Sequence, residues 1–457
     1  MRVNLKVSAV ILAAGRGVRM CSQLPKVAHK AAGKAMIVHI VELVEQAGID
    51  DIKVVVGHGR ETVESLLRDK NVEFVIQAEQ LGTGHALLQA EEYIDPLSAV
   101  LVLAGDTPLL RPQTIQRLIQ FHLKQKSPAV ILSAELSNPS GYGRIVRQAD
   151  QVFSQIVEEK DATEAEKKIT EINTGIYCFQ ASRVFPLLSQ TNTTNAQGEY
   201  YLTDVLELIN REDNSVQVIR IEDPEEIYGV NDRVQLAYVE KILRKRKNLE
   251  LMRSGVTMLD PDSTLIDKDV QVGEDSVLFP FTIIEGDTHI GCSCQIGPYT
   301  RISNSHIGDK VIIESSRINQ AIIGNSCTIG PYAYLRPDSE LHENVKVGDF
   351  AEIKKSIIGA NSKIPHLSYV GDAVIGQGVN IGAGTITCNY DGQNKYQTVI
   401  EDKVFIGSNT NLVAPVRVGE NSTIGAGSTI ARDVPPDTLA VERAKQKNFP
   451  NRAKKGD

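Results

Sequence analysis

Two groups of residues in this chain have the types and spacing that chemistry needs. The first follows the aliphatic run 7–14, which enters Leu12-Ala13-Ala14-Gly15-Arg16-Gly17-Val18-Arg19-Met20 and then Leu24-Pro25-Lys26. Small residues and glycines let backbone N–H groups approach phosphate oxygens, and Arg19 and Lys26 bring positive charge to where a pyrophosphate would develop. The loop is not a dinucleotide fingerprint, because Met20 stands where the third glycine belongs, and it lacks the Gly-Lys-Ser/Thr of a P-loop. Alone it reads equally as a tight turn. Asp106 closes another aliphatic run, AVLVLAGD, and its carboxylate is a hard oxygen ligand suited to Mg²⁺ in a strand-end crevice. Standing alone, Asp106 reads better as a turn or helix-capping residue before Thr107-Pro108. The second group comprises Arg336, Lys354, His366 in KIPHLSYVGDA, Tyr369, Asn380, the string IGAGTITCNYDG, Ser408, Ala426 and Arg443. Arg336 and Lys354 suit a phosphate dianion, Tyr369 and Asn380 suit sugar hydroxyls, and His366 can take a proton near neutral pH. A lone histidine in a repeat is more often a surface or packing residue.

The elements that must position these groups differ between the two halves. Residues 1–230 alternate aliphatic runs (7–14, 51–58, 72–77, 99–106) with amphipathic stretches such as 35–47 and 112–124. This β-α-β order predicts a mostly parallel sheet covered by helices, with ligands at the strand carboxyl ends. Residues 232–251 contain no Gly or Pro and place Val234, Tyr238, Ile242 and Leu249 at roughly helical spacing. They predict a long connecting helix, with Arg244-Lys245-Arg246-Lys247 on a solvated face. From Ile266 the period becomes six: Ile266, Val272, Leu278, Ile284, Ile290, Ile296 and Ile302, then Ile323 to Ile353, Ile358 to Val370 and Ile400 to Ile430, often followed by Gly. Such a repeat fits a triangular β-solenoid with one inward aliphatic residue per flat side and glycine relieving the turns. Phase slips near 303–318 and 382–399 predict loops or coil adjustments, the second, CNYDGQNKYQ, protruding.

Composition bounds the function classes. The net charge of −8 (49 basic against 57 acidic residues) argues against a nucleic-acid binder. No apolar run approaches the roughly 18 residues needed to span a bilayer. The six cysteines show no paired C-x-x-C spacing, and Cys292-x-Cys294 has no second pair to complete a metal site, so a reduced, cytoplasmic chain is expected. The start imitates a signal peptide, but its apolar run ends at once in the charged glycine-rich loop.

The string G-x-G-x-R-M followed by P-K resembles the signature of sugar-1-phosphate nucleotidyltransferases. Further matches come in that family's order: Gln77 through Gln80-Leu81-Gly82-Thr83-Gly84, Ala104-Gly105-Asp106, Gly141-Tyr142-Gly143-Arg144, Glu158, Asn173 and Asn231. Together with the strings around His366, the full chain resembles the bacterial bifunctional N-acetylglucosamine-1-phosphate uridyltransferases / glucosamine-1-phosphate N-acetyltransferases. The resemblance implies an α/β, Rossmann-like nucleotidyltransferase domain (1–231), a linker helix (232–252), a left-handed parallel β-helix of hexapeptide repeats (253–440) and a tail (441–457). It implies acetyl transfer from acetyl-coenzyme A to glucosamine-1-phosphate, then transfer of UMP from UTP to N-acetylglucosamine-1-phosphate, giving UDP-N-acetylglucosamine for the cell envelope. UDP-N-acetylglucosamine would be held by Leu12, Ala13, Ala14, Gly15, Arg19, Lys26, Gln77, Gly82, Thr83, Asp106, Gly143, Glu158, Asn173 and Asn231. Among these, Gln77, Gly82 and Thr83 read uracil, Gly143, Glu158 and Asn173 hold the acetamido sugar, and Asp106 and Asn231 hold Mg²⁺. Glucosamine-1-phosphate would meet Arg336, Lys354, Tyr369 and Asn380, with His366 as base. The acetyl-coenzyme A site is implied to include Ala383, Asn389 and Tyr390, the last two orienting substrate, with Ser408, Ala426 and Arg443 on coenzyme A. A homotrimer with acetyltransferase sites built from neighbouring chains is implied as well. Two departures stand out: Pro365 precedes the histidine where some members carry Gly, and the tail after Arg443 is short. The rival readings are a single-function nucleotidyltransferase with a structural or regulatory β-helix, and a non-catalytic scaffold.

Overall fold

The aliphatic runs near the amino end become strands buried on both faces. In the computed structural model, which describes residues 6–148, 150–213 and 215–450, the chain divides into two units, Met1–Leu243 and Arg244–Asp457. Apart from a two-stranded hairpin (Lys30–Ala31 and Lys34–Ala35), the strands of the first unit are β1 (Val7–Leu12), β2 (Asp51–Val56), β3 (Glu73–Ile76), β4 (Ala99–Ala104), β5 (Ala129–Glu135), β6 (Arg144–Arg147), β7 (Phe153–Val157), β8 (Glu171–Gln180) and β9 (Gln217–Arg220). Seven of them form the sheet in the order β9-β5-β8-β4-β1-β2-β3, and β6 pairs with β8 and β7 off this path. The sheet is mostly parallel, as the β-α-β order predicts, but β8 runs antiparallel between β4 and β5. Alternate residues feed two cores: Ala9, Ile11, Leu101 and Leu103 on one face, Val10, Val100 and Val102 on the other. That is why these strands read as unbroken aliphatic runs rather than alternating ones. The helices α1 (Met36–Gln46), α2 (Arg60–Leu66), α3 (Thr83–Leu88), α4 (Pro112–Gln125), α5 (Ala181–Leu188) and α6 (Leu202–Asp213) supply the covering residues.

The helix α7 spans Arg233–Arg253, but its apolar residues do not form one stripe. In the first unit, Val239 and Ile242 are buried with Met20, Met36 and Leu109, whereas Val234 and Tyr238 are exposed. In the second unit, Leu251 is buried and Leu249 exposed. Each half of the helix has its own packing partners, so no single face is buried along its length. The basic run is not a solvated face either. Arg244 lies 3.4 Å from Asp267, Lys247 is buried with its ammonium 2.8 Å from Glu250, and Asn248 donates to the carbonyls of Pro261 and Thr264.

The second unit is a three-sided prism of short parallel strands, in sheets of eleven, ten and nine. The inward residues at six-residue spacing are buried: Ile266, Leu278, Ile284, Ile296 and Ile302 are all at 0% exposure. The slip at 303–318 is a coil adjustment and not a loop. Ile302, Ile307, Ile313, Ile318 and Ile323 all point inward at steps of five or six residues, and each still pairs with its equivalent on the next coil. The slip at 382–399 is an insertion. Ile375 pairs with Ile400, twenty-five residues on, and residues 391–397 stand exposed beyond a Tyr390–Lys395 bridge. The glycines that follow inward residues answer to coil spacing more than to turn conformation. A Cβ on Gly348 would lie 1.8 Å from the Pro365 carbonyl oxygen, and one on Gly407 would lie 2.5 Å from the Ala426 nitrogen, although neither glycine has a positive φ.

Candidate functional sites

The first site lies at the carboxyl ends of β1, β3 and β4, around a cavity of about 920 Å³. Beyond β1 the chain stays extended against the end of β2: Ala13 N–H donates to Val55 O and His58 N–H to Ala14 O. This lays Leu12, Ala13, Ala14 and Gly15 along the wall. Gly17 has φ +59°, and a Cβ there would meet the Lys26 side chain at 2.6 Å. A short helical turn, Val18–Met20, follows and buries Met20, leaving Arg19 exposed and outside the lining, where Arg16 is the arginine instead.

Beside this wall, the Lys26 ammonium contacts the Asp106 carboxylate and lies 3.2 Å from Asn231 Oδ1. Gly105 N–H donates to Leu12 O, and Val230 N–H to Asp106 O, so the backbone after β4 sets both oxygens in place. Asn231 does not itself line the cavity but joins it through Lys26. Asp106 and Asn231 thus place two hard oxygens on one cation, a donor pair fitting Mg²⁺ when phosphates and water complete the shell.

Opposite, Asn173 on β8 donates to Tyr177 Oη at 2.7 Å, and its N–H donates to Gly143 O at 2.8 Å. Gly143 lies behind the lining against Glu158, where a Cβ would stand 3.3 Å from Oε2. Thr203 Oγ1 donates to Glu158 Oε1 at 3.3 Å. Burial pushes the Glu158 carboxyl up, against the Thr203 bond, and Asp161 and Asp204 push it the same way. Along another edge of the cavity, Gln77 follows β3, and Gly82 takes φ +116°, where a Cβ would meet Tyr200 O at 2.6 Å. Thr83 opens α3, and its hydroxyl accepts from Leu202 N–H at 3.2 Å. Of the fourteen residues expected to hold UDP-N-acetylglucosamine, all but Arg19, Gly143 and Asn231 line this one cavity. Sequence reasoning missed Tyr177 and Thr203 in the lining. Tyr177 lies four residues beyond Asn173, hence on the same face of one strand.

The second site is a ladder on the prism. Asp349 pairs with His366 on the next coil, and continuing the register of the flanking strands brings Ala383, Ser408 and Ala426 to the same position on the coils that follow. Asp349 Oδ1 lies 2.6 Å from His366 Nδ1, and this bond holds the Asp349 carboxyl below its usual range. Both side chains are largely open, His366 at 60% and Asp349 at 41% exposure. On the adjoining flat side, the Arg336 guanidinium is 2.7 Å from Glu352; along the register Lys354 follows Arg336, and Tyr369 follows Glu352. Asn380 pairs with Lys363 on the side bearing Asp349 and His366. Asn389 Nδ2 donates to Asp372 at 2.5 Å, Tyr390 Oη donates to Gly392 O at 2.6 Å, and Arg443 Nη1 donates to Ala426 O at 2.9 Å. Asp349 and Glu352 carry no signal in a motif search; the signal is the seventeen-residue coil separating each from His366 and Tyr369.

Residues 9–171 match the MobA-like NTP transferase domain family, and residues 320–355 and 397–432 match the bacterial transferase hexapeptide (six repeats) family. The chain is 62% identical to the bifunctional protein GlmU of Syntrophomonas wolfei over 448 residues, covering 98% of this chain and 100% of that protein. Its identity to the GlmU of Carboxydothermus hydrogenoformans is 52% over 442 residues (97% and 99% covered), and to that of Heliobacterium modesticaldum 50% over 455 residues (99% and 99%). No helix among the described residues is long and apolar enough to cross a membrane. With a nucleotidyltransferase unit, a left-handed hexapeptide β-helix and half or more of its residues shared with these relatives end to end, the chain belongs to the bifunctional GlmU family, which joins glucosamine-1-phosphate acetyltransfer and N-acetylglucosamine-1-phosphate uridylyltransfer to make UDP-N-acetylglucosamine.

Proposed function

We propose that the cavity of the first unit is the uridylyl-transfer site and that the ladder around His366 is the acetyl-transfer site, both working in the cytoplasm. The observation that carries the reading is the meeting of Lys26, Asp106 and Asn231, three residues far apart in sequence, beside one wall of small residues. In uridylyl transfer, a phosphate oxygen of N-acetylglucosamine-1-phosphate attacks the α-phosphorus of UTP and the bond to pyrophosphate breaks. Positioning and charge neutralisation do most of this work. Lys26 neutralises the developing charge, and the bare backbone at Gly15 admits phosphate oxygens closely. Asp106 and Asn231 would hold Mg²⁺, which when bound neutralises the nucleotide phosphates. Glu158 and Asn173 face the sugar, and Gln77, Gly82 and Thr83 face the base.

In acetyl transfer, the ammonium of glucosamine-1-phosphate must lose a proton before its nitrogen can attack the thioester carbonyl. A carboxylate only accepts, so Asp349 holds the proton on His366 Nδ1 and leaves Nε2 as the base. The nitrogen–carbon bond forms, the carbon–sulfur bond breaks, and the second proton shed by the nitrogen as it becomes an amide is taken up by the departing sulfur, so that coenzyme A leaves as its thiol. Arg336 and Lys354 bind the phosphate, while Tyr369 and Asn380 bind hydroxyls. Asn389 and Tyr390 orient the substrate, and the open column Ala383, Ser408 and Ala426 with Arg443 lies along coenzyme A. The exposure of His366 and Asp349 supports a homotrimer in which a neighbouring chain supplies the missing wall. Purified protein given glucosamine-1-phosphate, acetyl-coenzyme A, UTP and Mg²⁺ tests the reading. UDP-N-acetylglucosamine should form only with all four, and N-acetylglucosamine-1-phosphate should replace the first two; nucleotide-sugar formation that ignores acetyl-coenzyme A would overturn it.

A further inference from the structure

We infer that His85 is a positioning residue for the amide of Gln77 and thereby sets the preference of the cavity for uracil-type over cytosine-type nucleotides. This rests on the reading of Gln77 as the residue that faces the pyrimidine.

Gln77 is 3% exposed. One end of its amide lies 3.2 Å from Gly82 O and 3.0 Å from His85 Nδ1. A carbonyl oxygen only accepts, so the amide end that faces it is the NH₂. Its second hydrogen then goes to Nδ1, which must offer a lone pair. The imidazole proton then sits on Nε2, and the Gln89 amide, whose nitrogen lies 3.3 Å from Nε2 and 3.4 Å from His85 O, must turn its oxygen to the ring to accept it. With both N–H groups engaged, the amide oxygen of Gln77 is left for the cavity that this residue lines. Turning the amide over would set its oxygen against Gly82 O, and against Nδ1 too as long as the imidazole proton stays on Nε2.

Both acceptors are themselves held. Gly82 sits in a loop pinned by Tyr200 N–H to Leu81 O and by Gly84 N–H to Tyr200 O, each 2.8 Å. His85 lies in the first turn of α3, with its ring centroid 6.3 Å from that of Tyr200. Uracil and thymine carry a donor, N3–H, where cytosine carries a lone pair. A fixed amide oxygen accepts from the first and repels the second, whereas a free amide rotates to serve either. A site built around a buried hydrogen-bonding group rejects the mismatched analogue more strongly than shape alone does.

The test measures kcat/KM for UTP and for CTP. His85→Phe, which keeps ring volume without the acceptor, and His85→Leu should each lower the UTP/CTP ratio at least about tenfold, mainly through KM for UTP. His85→Asn, which returns an acceptor, should recover most of it. If His85→Phe and His85→Leu lower kcat with both nucleotides and leave the ratio unchanged, or change nothing, the inference is overturned. Gln77→Leu separates the two levels: a wild-type ratio in that variant removes Gln77 as the base reader, whereas a collapsed ratio there with an intact ratio in His85→Phe removes only His85.

Discussion

The cavity and the ladder place their functional groups by opposite means. In the cavity, residues from β1, β4, β8, α3, α6 and the loop after β3 converge, and Lys26 reaches Asn231 across 205 positions of sequence. In the ladder, each group follows the last by one coil, as Asp349, His366 and Ala383 do at intervals of seventeen. Convergence encloses, and enclosure changes acidity: burial raises Glu158 in the cavity. A flat ladder repeats but encloses nothing, so the Asp349 carboxyl is held below its usual range by its hydrogen bond with His366 rather than shifted by burial. A convergent site can be complete in one chain; a ladder needs a facing wall to exclude water.

This contrast can be broken by substitution. The largest expected effect short of removing the base is Asp106→Ala, which should slow uridylyl transfer on the order of 10²–10³-fold. Acetyl transfer by the same sample should stay at the wild-type rate, measured as coenzyme A release. Asp349→Ala should do the reverse more mildly, lowering the acetyl-transfer kcat about tenfold, the worth of one hydrogen bond to a charged group, with uridylyl transfer unchanged. An Asp349→Ala enzyme of wild-type acetyl-transfer rate would show that the exposed dyad contributes nothing. The smallest effect concerns stability. Asp204 is raised from 3.8 to about 6 by burial, then by Glu207 and Asp161. The folded state therefore binds more protons than the unfolded chain between those values, and stability falls as pH climbs from about 4 to about 6. Asp204→Asn should raise the Tm of the first unit by about 2–4 °C at pH 8, corresponding to about 1 kcal/mol after allowance for partial exposure. Below pH 4 the gain should vanish in the same thermal melts.

The period-six pattern made the prism legible because one inward side per hexad leaves no freedom: Ile284, Ile296 and Ile302 could face nowhere else. It did not tell a coil adjustment from a loop at 303–318, since a five-residue side and a short excursion break the count alike. The strands of the first unit were legible from their aliphatic runs, but the antiparallel course of β8 was not, because strand direction depends on connections rather than on side chains. For the cavity, glycines and small residues marked where backbone must approach a ligand. Arg19 stands exposed outside the lining, because the adjacent Met20 is claimed by the core and turns its neighbour outward. The basic run 244–247 misled because charge pattern alone does not show that Asp267 awaits Arg244 and that Lys247 is buried beside Glu250.

The most direct test of two separate sites in one chain is His366→Ala, assayed for both activities in a single preparation. Acetyl transfer should fall about 10²–10⁴-fold, the usual range for a removed general base, while uridylyl transfer from N-acetylglucosamine-1-phosphate keeps its wild-type rate. Persistence of acetyl transfer, or equal loss of both activities in a folded protein, would contradict the account.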